Sequence, residues 1–379
     1  MDEPIRKLYV EITSRCNLKC KMCFRHTWVG EQFGDLEPEV FTALLEDPAL
    51  QETETVFFGG MGEPLVHPAL TAMVRAASEK GKRTELITNG TLLSEQRAKE
   101  LIDAGIREIW VSIDELYENY GRIQVGSSFD TVLKNLTAFN SLRRDAGVRL
   151  GMTAVVMRDN IASLDRIRDF ALGFDADDLN LSHMVPNRPE DVPNALWSMC
   201  DVAAIREATD NSKPSWRLEY LQEGREYPMF RFSARYGEEL FGSDHEKQRE
   251  AELFSWKGKP FLRRVNSCRF IEENNCFIRW DGDVSPCMGL LHSADTYLGD
   301  GKRRMWHKAY GNVKTQSLAE IWNSEEYRSF RQRVRDFNFA PCLYCGGCHM
   351  LAENKEDCIG SPAPTCGGCL WGQGLIVCP

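Results

Sequence analysis

Six apolar, β-rich runs, each separated from the next by a helical pattern, constrain the first half of this 379-residue chain more than any other feature. The runs lie at Leu8–Thr13, Thr55–Gly59, Arg83–Thr88, Glu108–Ile113, Arg149–Val156 and Leu179–Val185. Helical patterns fall between them at Pro38–Leu45, Pro68–Lys80, Glu95–Ala104, Phe129–Asp145 and Ile161–Leu172. Such alternation predicts an α/β fold with a parallel sheet and right-handed crossovers. An open doubly wound sheet and a partial barrel both satisfy it. In either, ligands bind at the C-terminal ends of the strands, so the segments that follow each run are where chemistry is expected.

The first of those segments carries three thiols, Cys16, Cys20 and Cys23, in a CxxxCxxC spacing. Thiolates are soft ligands that select iron–sulfur clusters or zinc over hard cations. A cubane cluster normally takes four thiolates, so three leave one iron open to a ligand that is not protein. A zinc ion would need a fourth partner nearby, and His26 is the local candidate.

Fourteen cysteines are present: these three, Cys200 alone, and ten between Cys268 and Cys378. Clustered thiols without an export signal point to metal binding or catalysis rather than disulfides. A lone cysteine such as Cys200 reads as an inert core residue. Hydrophobic content of 42% and charged content of 27% are those of a globular protein. No apolar run is long enough for a membrane span, and Met1-Asp2-Glu3-Pro4 is no signal peptide, so a cytoplasmic location and no membrane partner are expected. A net charge of −10 argues against nucleic-acid binding, which needs a basic face.

The cysteine triplet placed just after a strand resembles the radical S-adenosylmethionine (radical SAM) superfamily. That likeness implies a partial (β/α)6 TIM-like barrel over residues 1–186. It also implies one [4Fe-4S] cluster on Cys16, Cys20 and Cys23, whose open iron binds S-adenosyl-L-methionine. Further matches follow the later strands. Gly59-Gly60-Met61-Gly62-Glu63-Pro64 is similar to the family's Gly-Gly-Glu-Pro stretch, with one residue inserted, and assigns Gly60, Gly62 and Glu63 to the cofactor's amino group. Asn89, in Thr88-Asn89-Gly90, would border the cofactor pocket. Ser112 and Asp114 at the end of the fourth run, with Arg122 about ten residues on, would hold the ribose hydroxyls and carboxylate. Glu115 stands where many relatives have glycine. Asn180 and His183, at the end of the sixth run, are weaker candidates for the barrel mouth.

From Cys268 onward the chain resembles the SPASM extension, a small cysteine-rich domain expected over residues 266–379. The matching residues are Cys268, Cys276, Gly282-Asp283-Val284-Ser285-Pro286-Cys287 and Cys342-Leu343-Tyr344-Cys345. Trp280–Pro286 reads as a hairpin turning at Asp281-Gly282, and Leu318–Arg335 as one helix. The resemblance implies two auxiliary [4Fe-4S] clusters, which need eight thiolates. Ten are available: Cys268, Cys276, Cys287, Cys342, Cys345, Cys348, Cys358, Cys366, Cys369 and Cys378. Cys268, Cys276 and Cys287 are assigned to one cluster, and Cys342 and Cys345 to the other. Zinc ribbons are the alternative for CxxC pairs alone. The tail Pro362–Gly374, ending at Cys378-Pro379, resembles the maturases that accompany tungsten-containing aldehyde:ferredoxin oxidoreductases.

Between these regions, residues 187–265 read as a bridge that could line a substrate channel. It opens with the Pro-rich Asn187–Pro193 and holds a strand at Trp216–Tyr220 and a charged, partly helical stretch at Tyr236–Phe254. The resemblance implies that a ferredoxin or flavodoxin supplies an electron, and that cleavage of S-adenosylmethionine yields a 5′-deoxyadenosyl radical that abstracts hydrogen from the substrate. Expected substrates are a protein, a peptide or a pterin cofactor. Maturation of a tungsten enzyme or its cofactor is the first reading and crosslinking or epimerisation of a ribosomally made peptide the second. A non-catalytic iron–sulfur or zinc adaptor is the third. Met288 follows Cys287 where relatives that oxidise serine or cysteine side chains carry an aspartate base. Methionine accepts no proton at neutral pH, so that oxidation is not expected. Seven residues precede the first run, which tilts against a leader-binding domain ahead of it.

Overall fold

The computed structural model describes residues 3–196, 216–221, 229–234, 255–256, 259–260, 266–298, 301–340, 342, 349–376 and 378–379. The six runs form strands β1 (Lys7–Val10), β2 (Thr55–Phe58), β3 (Arg83–Thr88), β4 (Glu108–Ser112), β5 (Arg149–Val156) and β6 (Asp178–His183), all parallel and in chain order. Their residues are buried on both faces, as strands covered by crossover helices must be. The fold is therefore the expected partial barrel. Local chemistry sets the crossover helices. Pro38 opens α1 (Pro38–Leu45) at a position where its missing N–H costs nothing. Helices α2 (Leu70–Glu79) and α3 (Glu95–Asp103) follow, the latter capped when Ser94 Oγ accepts from Arg97 N–H. The short α4 (Tyr120–Ile123) precedes α5 (Phe129–Ala146), which Ser128 caps and Gly147 ends at φ +65°. Helix α6 (Leu164–Gly173) completes the series after a 3₁₀ turn at Ile161–Ser163.

The stretch anticipated at Trp216–Tyr220 is strand β7 (Trp216–Leu221), paired antiparallel with β8 (Met229–Ala234). A second small ribbon joins β9 (Ser255–Trp256) to β10 (Lys259–Pro260). The helical expectation for Tyr236–Phe254, and the core reading of Cys200, lie outside the described residues.

The sheet does not stop at six strands. Strand β11 (Asn275–Ile278) pairs parallel to β1, with Leu8 opposite Cys276 and Tyr9 opposite Phe277, and β12 (Val284–Ser285) follows antiparallel. The order β12-β11-β1-β2-β3-β4-β5-β6 makes one eight-stranded sheet. Tyr9 stacks on Phe277 with centroids 4.4 Å apart, and its hydroxyl donates to the Pro379 carbonyl at 2.8 Å. The expected hairpin is present, with Gly282 at φ +94° in its turn, but its first strand also joins the barrel. Alternation alone cannot reveal that, because β11 is separated from β1 by most of the chain. Next comes the hairpin β13 (Ala294–Leu298) and β14 (Gly301–Met305).

The single helix expected over Leu318–Arg335 is two helices, Leu318–Trp322 and Glu325–Arg335. Ser324 breaks the run because its Oγ accepts from Tyr327 N–H as an N-cap, which requires extended rather than helical backbone. The first of the two is docked on the barrel: Asp47 accepts from Leu318 and Ala319 N–H at 2.7 and 3.1 Å. Trp322 Nε1 donates to the Glu3 carbonyl at 2.9 Å.

Candidate active site

The loop after β1 carries the cysteine triplet and is held by backbone acceptors and one cation. Cys23 N–H donates to the Cys20 carbonyl at 3.1 Å, and Arg25 reaches back to the carbonyls of Leu18 and Ser14 at 2.9 and 3.3 Å. Cys16, Cys20 and Cys23 are electrostatic neighbours. Burial pushes the Cys16 and Cys20 thiols above their usual range, while the Arg25 charge pulls both down. His26 is exposed, and its Nε2 lies 2.8 Å from the Cys20 carbonyl, a backbone partner rather than a shared metal.

The Gly-rich loop after β2 lies directly on this loop. A Cβ on Gly62 would collide with the Thr13 carbonyl and one on Gly60 with the Glu11 side chain, so only glycine permits the approach. Glu63 N–H donates to the Arg15 carbonyl at 2.8 Å. The Glu63 carboxylate is buried and accepts from Thr88 Oγ1, Asn89 N–H and Leu65 N–H at 2.8, 2.7 and 3.0 Å. Burial outweighs these donors and raises its pKa. Asn89 closes the cluster, with Nδ2 donating to Asn17 Oδ1 at 3.0 Å and lying 3.8 Å from Cys16 Sγ. Thus Cys16, Gly60, Gly62, Glu63 and Asn89 come together from three strand ends.

The end of β4 adds Asp114, which is fully buried and accepts from Val155 N–H at 2.8 Å. Burial pushes its carboxyl up to about 7, against hydrogen bonds from Val155 and the half-buried Ser112. Gln124 fixes this turn by donating to the Ser112 carbonyl and accepting from Asp114 N–H. Tyr120, on the same short helix, is buried, and its hydroxyl has no hydrogen-bond partner among the described residues. Its charged neighbours are Asp114, Cys20 and Glu63. Arg122, by contrast, is exposed on that helix and makes no hydrogen bond or ion pair among the described residues. At the end of β6, His183 is buried and burial pulls its imidazole down to about 3, so it is neutral.

These residues fit a thiolate-bound cluster with an amino-acid-like ligand. Cys16 and Cys20 lie beside the Arg25 charge, two glycines let backbone approach closely, and a buried hydroxyl without a partner, that of Tyr120, neighbours Cys20 and Glu63.

The tail thiols form a second group. Cys287 has Cys268 and Cys369 as charge neighbours, and Cys366 has Cys369, Cys268 and Cys287. Burial raises all four, Cys268 to about 12, so four ionised thiols would coexist here only around a metal. Cys276, expected in this set, instead stands in the core beside Arg331 and Tyr327, and burial pushes it up to about 12. Cys342 neighbours Arg303. Cys378 accepts from Trp371 Nε1 at 3.3 Å, and Cys358 is exposed. Cys345 and Cys348 lie outside the described residues. No trio of His, Cys, Asp or Glu among the described residues is arranged to hold a single metal ion.

A cleft of about 740 Å³, counted with its open mouth, lies between the segment that follows Cys23 and the tail thiols. Phe24, Trp28 and Met61 line it from the first side, and Cys287, Cys366 and Cys369 from the other. Met288 also lines it. One wall is a charged network that sequence reasoning missed. His292 Nε2 meets Glu11 at 2.8 Å and Nδ1 meets Glu31 at 2.9 Å, while Trp28 stacks on the ring at 4.0 Å. Burial would lower this imidazole, but the two carboxylates raise it to about 9. Glu11 also accepts from Met61 N–H at 2.9 Å, tying the network to the Gly-rich loop. No motif signals these residues, because the partners of His292 lie far from it in sequence. Tyr120 was within reach, two residues before Arg122 in sequence.

Fold and site together define an iron–sulfur enzyme that uses S-adenosylmethionine. Residues 10–171 match the radical SAM superfamily and residues 268–349 the SPASM iron-sulfur cluster-binding domain, and the chain belongs to that superfamily. It is an enzyme, not a non-catalytic adaptor. It is similar to the tungsten-containing aldehyde ferredoxin oxidoreductase cofactor-modifying protein of Pyrococcus furiosus, 29% identical over 99% of this chain and 97% of that one. The PqqA peptide cyclase of Gluconobacter oxydans is 24% identical over 97% of this chain and 91% of its own length. Among solved structures, Streptococcus suis SuiB bound to precursor peptide SuiA shares the fold. Its TM-score is 0.56 and identity 17%, over 91% of this chain and 70% of SuiB. No helix among the described residues is long and apolar enough to cross a membrane.

Proposed function

We propose that the protein matures a tungsten-dependent oxidoreductase or its pterin cofactor by hydrogen abstraction in the cleft that the tail thiols line. Cys16, Cys20 and Cys23 would hold the [4Fe-4S] cluster with one open iron. Gly60, Gly62, Glu63, Asn89, Ser112 and Asp114 would hold S-adenosylmethionine, with Arg122 swinging in from the surface. When bound, that pair supplies a 5′-deoxyadenosyl radical that takes hydrogen from the substrate. The chain's own contribution is orientation: Glu63 and Asn89 fix the cofactor against the cysteine loop, and the apolar wall of Phe24, Trp28, Met61 and Trp371 excludes water. An auxiliary cluster falls to Cys268, Cys287, Cys366 and Cys369. A second would draw on Cys342, Cys345 and the remaining thiols, with Cys276 kept as core. Small ferredoxin- or flavodoxin-type donors in the cytoplasm would reduce the enzyme.

The observation that carries this reading is the cleft itself, which the tail thiols Cys287, Cys366 and Cys369 line on one side and Phe24, next in chain to Cys23, lines on the other. Full-length similarity to a cofactor-modifying protein favours the tungsten reading. Similarity to peptide cyclases supports the second, crosslinking of a ribosomally made peptide. Met288 on the cleft wall offers no proton acceptor where aldehyde-forming relatives carry one.

The test is anaerobic turnover of the reconstituted enzyme with flavodoxin and S-adenosylmethionine, with 5′-deoxyadenosine and substrate mass followed together. Addition of the apo-oxidoreductase or its pterin should accelerate release and change the mass of the addition. Acceleration by a precursor peptide alone would move the assignment to the second reading. No 5′-deoxyadenosine under any condition would overturn both.

A further inference from the structure

Arg303, on β14, is a buried cation for which the activity above has no stated use. It is 4% exposed and lines the cleft. Its Nη1 donates to the Gly368 carbonyl at 2.5 Å, inside the Cys366-Gly367-Gly368-Cys369 loop. That loop is packed tightly on both sides. A Cβ on Gly368 would lie 3.0 Å from Arg303 Nη1, and one on Gly367 would collide with the Ala340 carbonyl. Arg303 Nε has no acceptor among the described residues. The opposite charges around the guanidinium are thiols: Cys369, Cys366 and, from the other segment, Cys342. No described carboxylate pairs with it. Its neighbours on the same strand, Lys302 and Arg304, both pair with Asp295 instead.

A buried guanidinium without a carboxylate is costly unless something else carries negative charge beside it. Thiolates ligating iron are such a charge. Cluster potentials follow net charge, hydrogen bonds to sulfur and solvent exposure, and the buried Arg303 bears on the first. We propose that Arg303 raises the reduction potential of the auxiliary cluster held by Cys268, Cys287, Cys366 and Cys369. Adding one electron to that cluster makes it more negative, so a fixed cation beside the thiol loop favours the reduced form. The electron comes from the reductant that poises the solution or, in turnover, from the substrate radical. Arg303 thereby tunes the cluster through its charge. This rests on the reading that these four thiols ligate a cluster.

The test uses the anaerobically reconstituted full-length enzyme, with iron counted per chain and an EPR-monitored redox titration. Arg303→Gln should keep its iron and lower one midpoint potential enough to reduce the reduced-to-oxidised ratio at least tenfold at a fixed potential, 59 mV for one electron. Arg303→Lys keeps the charge but loses the planar fork and the Nε donor, and should move the same midpoint in the same direction by less. A fully loaded Arg303→Gln protein titrating as wild type overturns the proposal. Should Arg303→Gln fail to retain iron, Arg303→Met, which also removes the charge, decides, and an unchanged midpoint there overturns it equally. A wild-type protein lacking auxiliary cluster signals would defeat the cluster reading itself, a different result.

Discussion

The two thiol groups are built by opposite means. Cys16, Cys20 and Cys23 share one loop, which Arg25 braces to its own carbonyls and Asn89 and Glu63 tie to the neighbouring strand ends. Cys268, Cys287, Cys366 and Cys369 come from a short helix start, the far end of a hairpin and the tail, and meet only once β11 has joined β1 and the tail has closed over both. A local site needs its loop and its strand. An assembled site needs the whole fold, and its ligation in turn fastens remote segments together.

That difference predicts unlike consequences for equivalent substitutions. Cys20→Ala should abolish 5′-deoxyadenosine release and remove about four irons per chain, while the thermal midpoint of the remainder barely moves. Cys366→Ala with Cys369→Ala should also remove about four irons, yet lower the melting temperature by roughly 5 °C or more, because the crosslink contributes to folding. Iron analysis with parallel melting curves reads both, and equal melting shifts would break the contrast.

A second contrast sets the charged wall of the cleft against the apolar one. Glu11 and Glu31 keep His292 protonated to about pH 9, whereas an imidazole in the unfolded chain titrates near 6.5. A pKa raised by folding stabilises fully below the unfolded value and is lost as pH climbs through the folded one. The gap corresponds to on the order of 3 kcal/mol. Wild type should therefore lose its stability advantage over His292→Gln progressively between pH 6.5 and 9, read as a narrowing difference in melting temperature. A constant difference across that window would show that the ring is not held as a cation.

The same asymmetry explains what could be read from residues alone. The barrel was legible because each strand is a short apolar run bounded by polar turns, and β3, β5 and α1 fall at the expected residues. That Cys16, Gly62, Glu63 and Asn89 lie together was legible because their segments follow the neighbouring strands β1, β2 and β3. Cys276 shows what that logic does not reach. Spacing groups it with Cys268 and Cys287, but as a strand residue opposite Leu8 it points into the core beside Tyr327 and Arg331. Which thiols share a metal depends on strand pairing between segments far apart, and periodicity carries no information about pairing. His292 and Arg303 were invisible for the same reason, since their partners Glu11, Glu31 and Gly368 are distant in sequence. Arg122 is the inverse case. Its place in a motif suggested a clamp, and the structure leaves it on the surface.

The smallest expected effect sharpens the comparison from the fold side. The helix pair Leu318–Trp322 and Glu325–Arg335 packs Tyr327 beside both Cys276 and Cys287, so its geometry reaches the assembled site but not the local one. Ser324 separates the two helices by capping the second. Ser324→Ala removes that acceptor and should cost about 1 kcal/mol, with the two helices free to merge into one run. Ser324→Asp restores a cap and adds a charge at the helix N-terminus, and should recover the loss. Denaturant melts of the three proteins measure the sequence of stabilities. The iron bound by Cys16, Cys20 and Cys23 should be retained throughout, while the auxiliary complement in Ser324→Ala falls at lower denaturant. Loss of both clusters in step would mean that the two thiol groups depend on one cooperative unit, and the distinction between a local and an assembled site would fail.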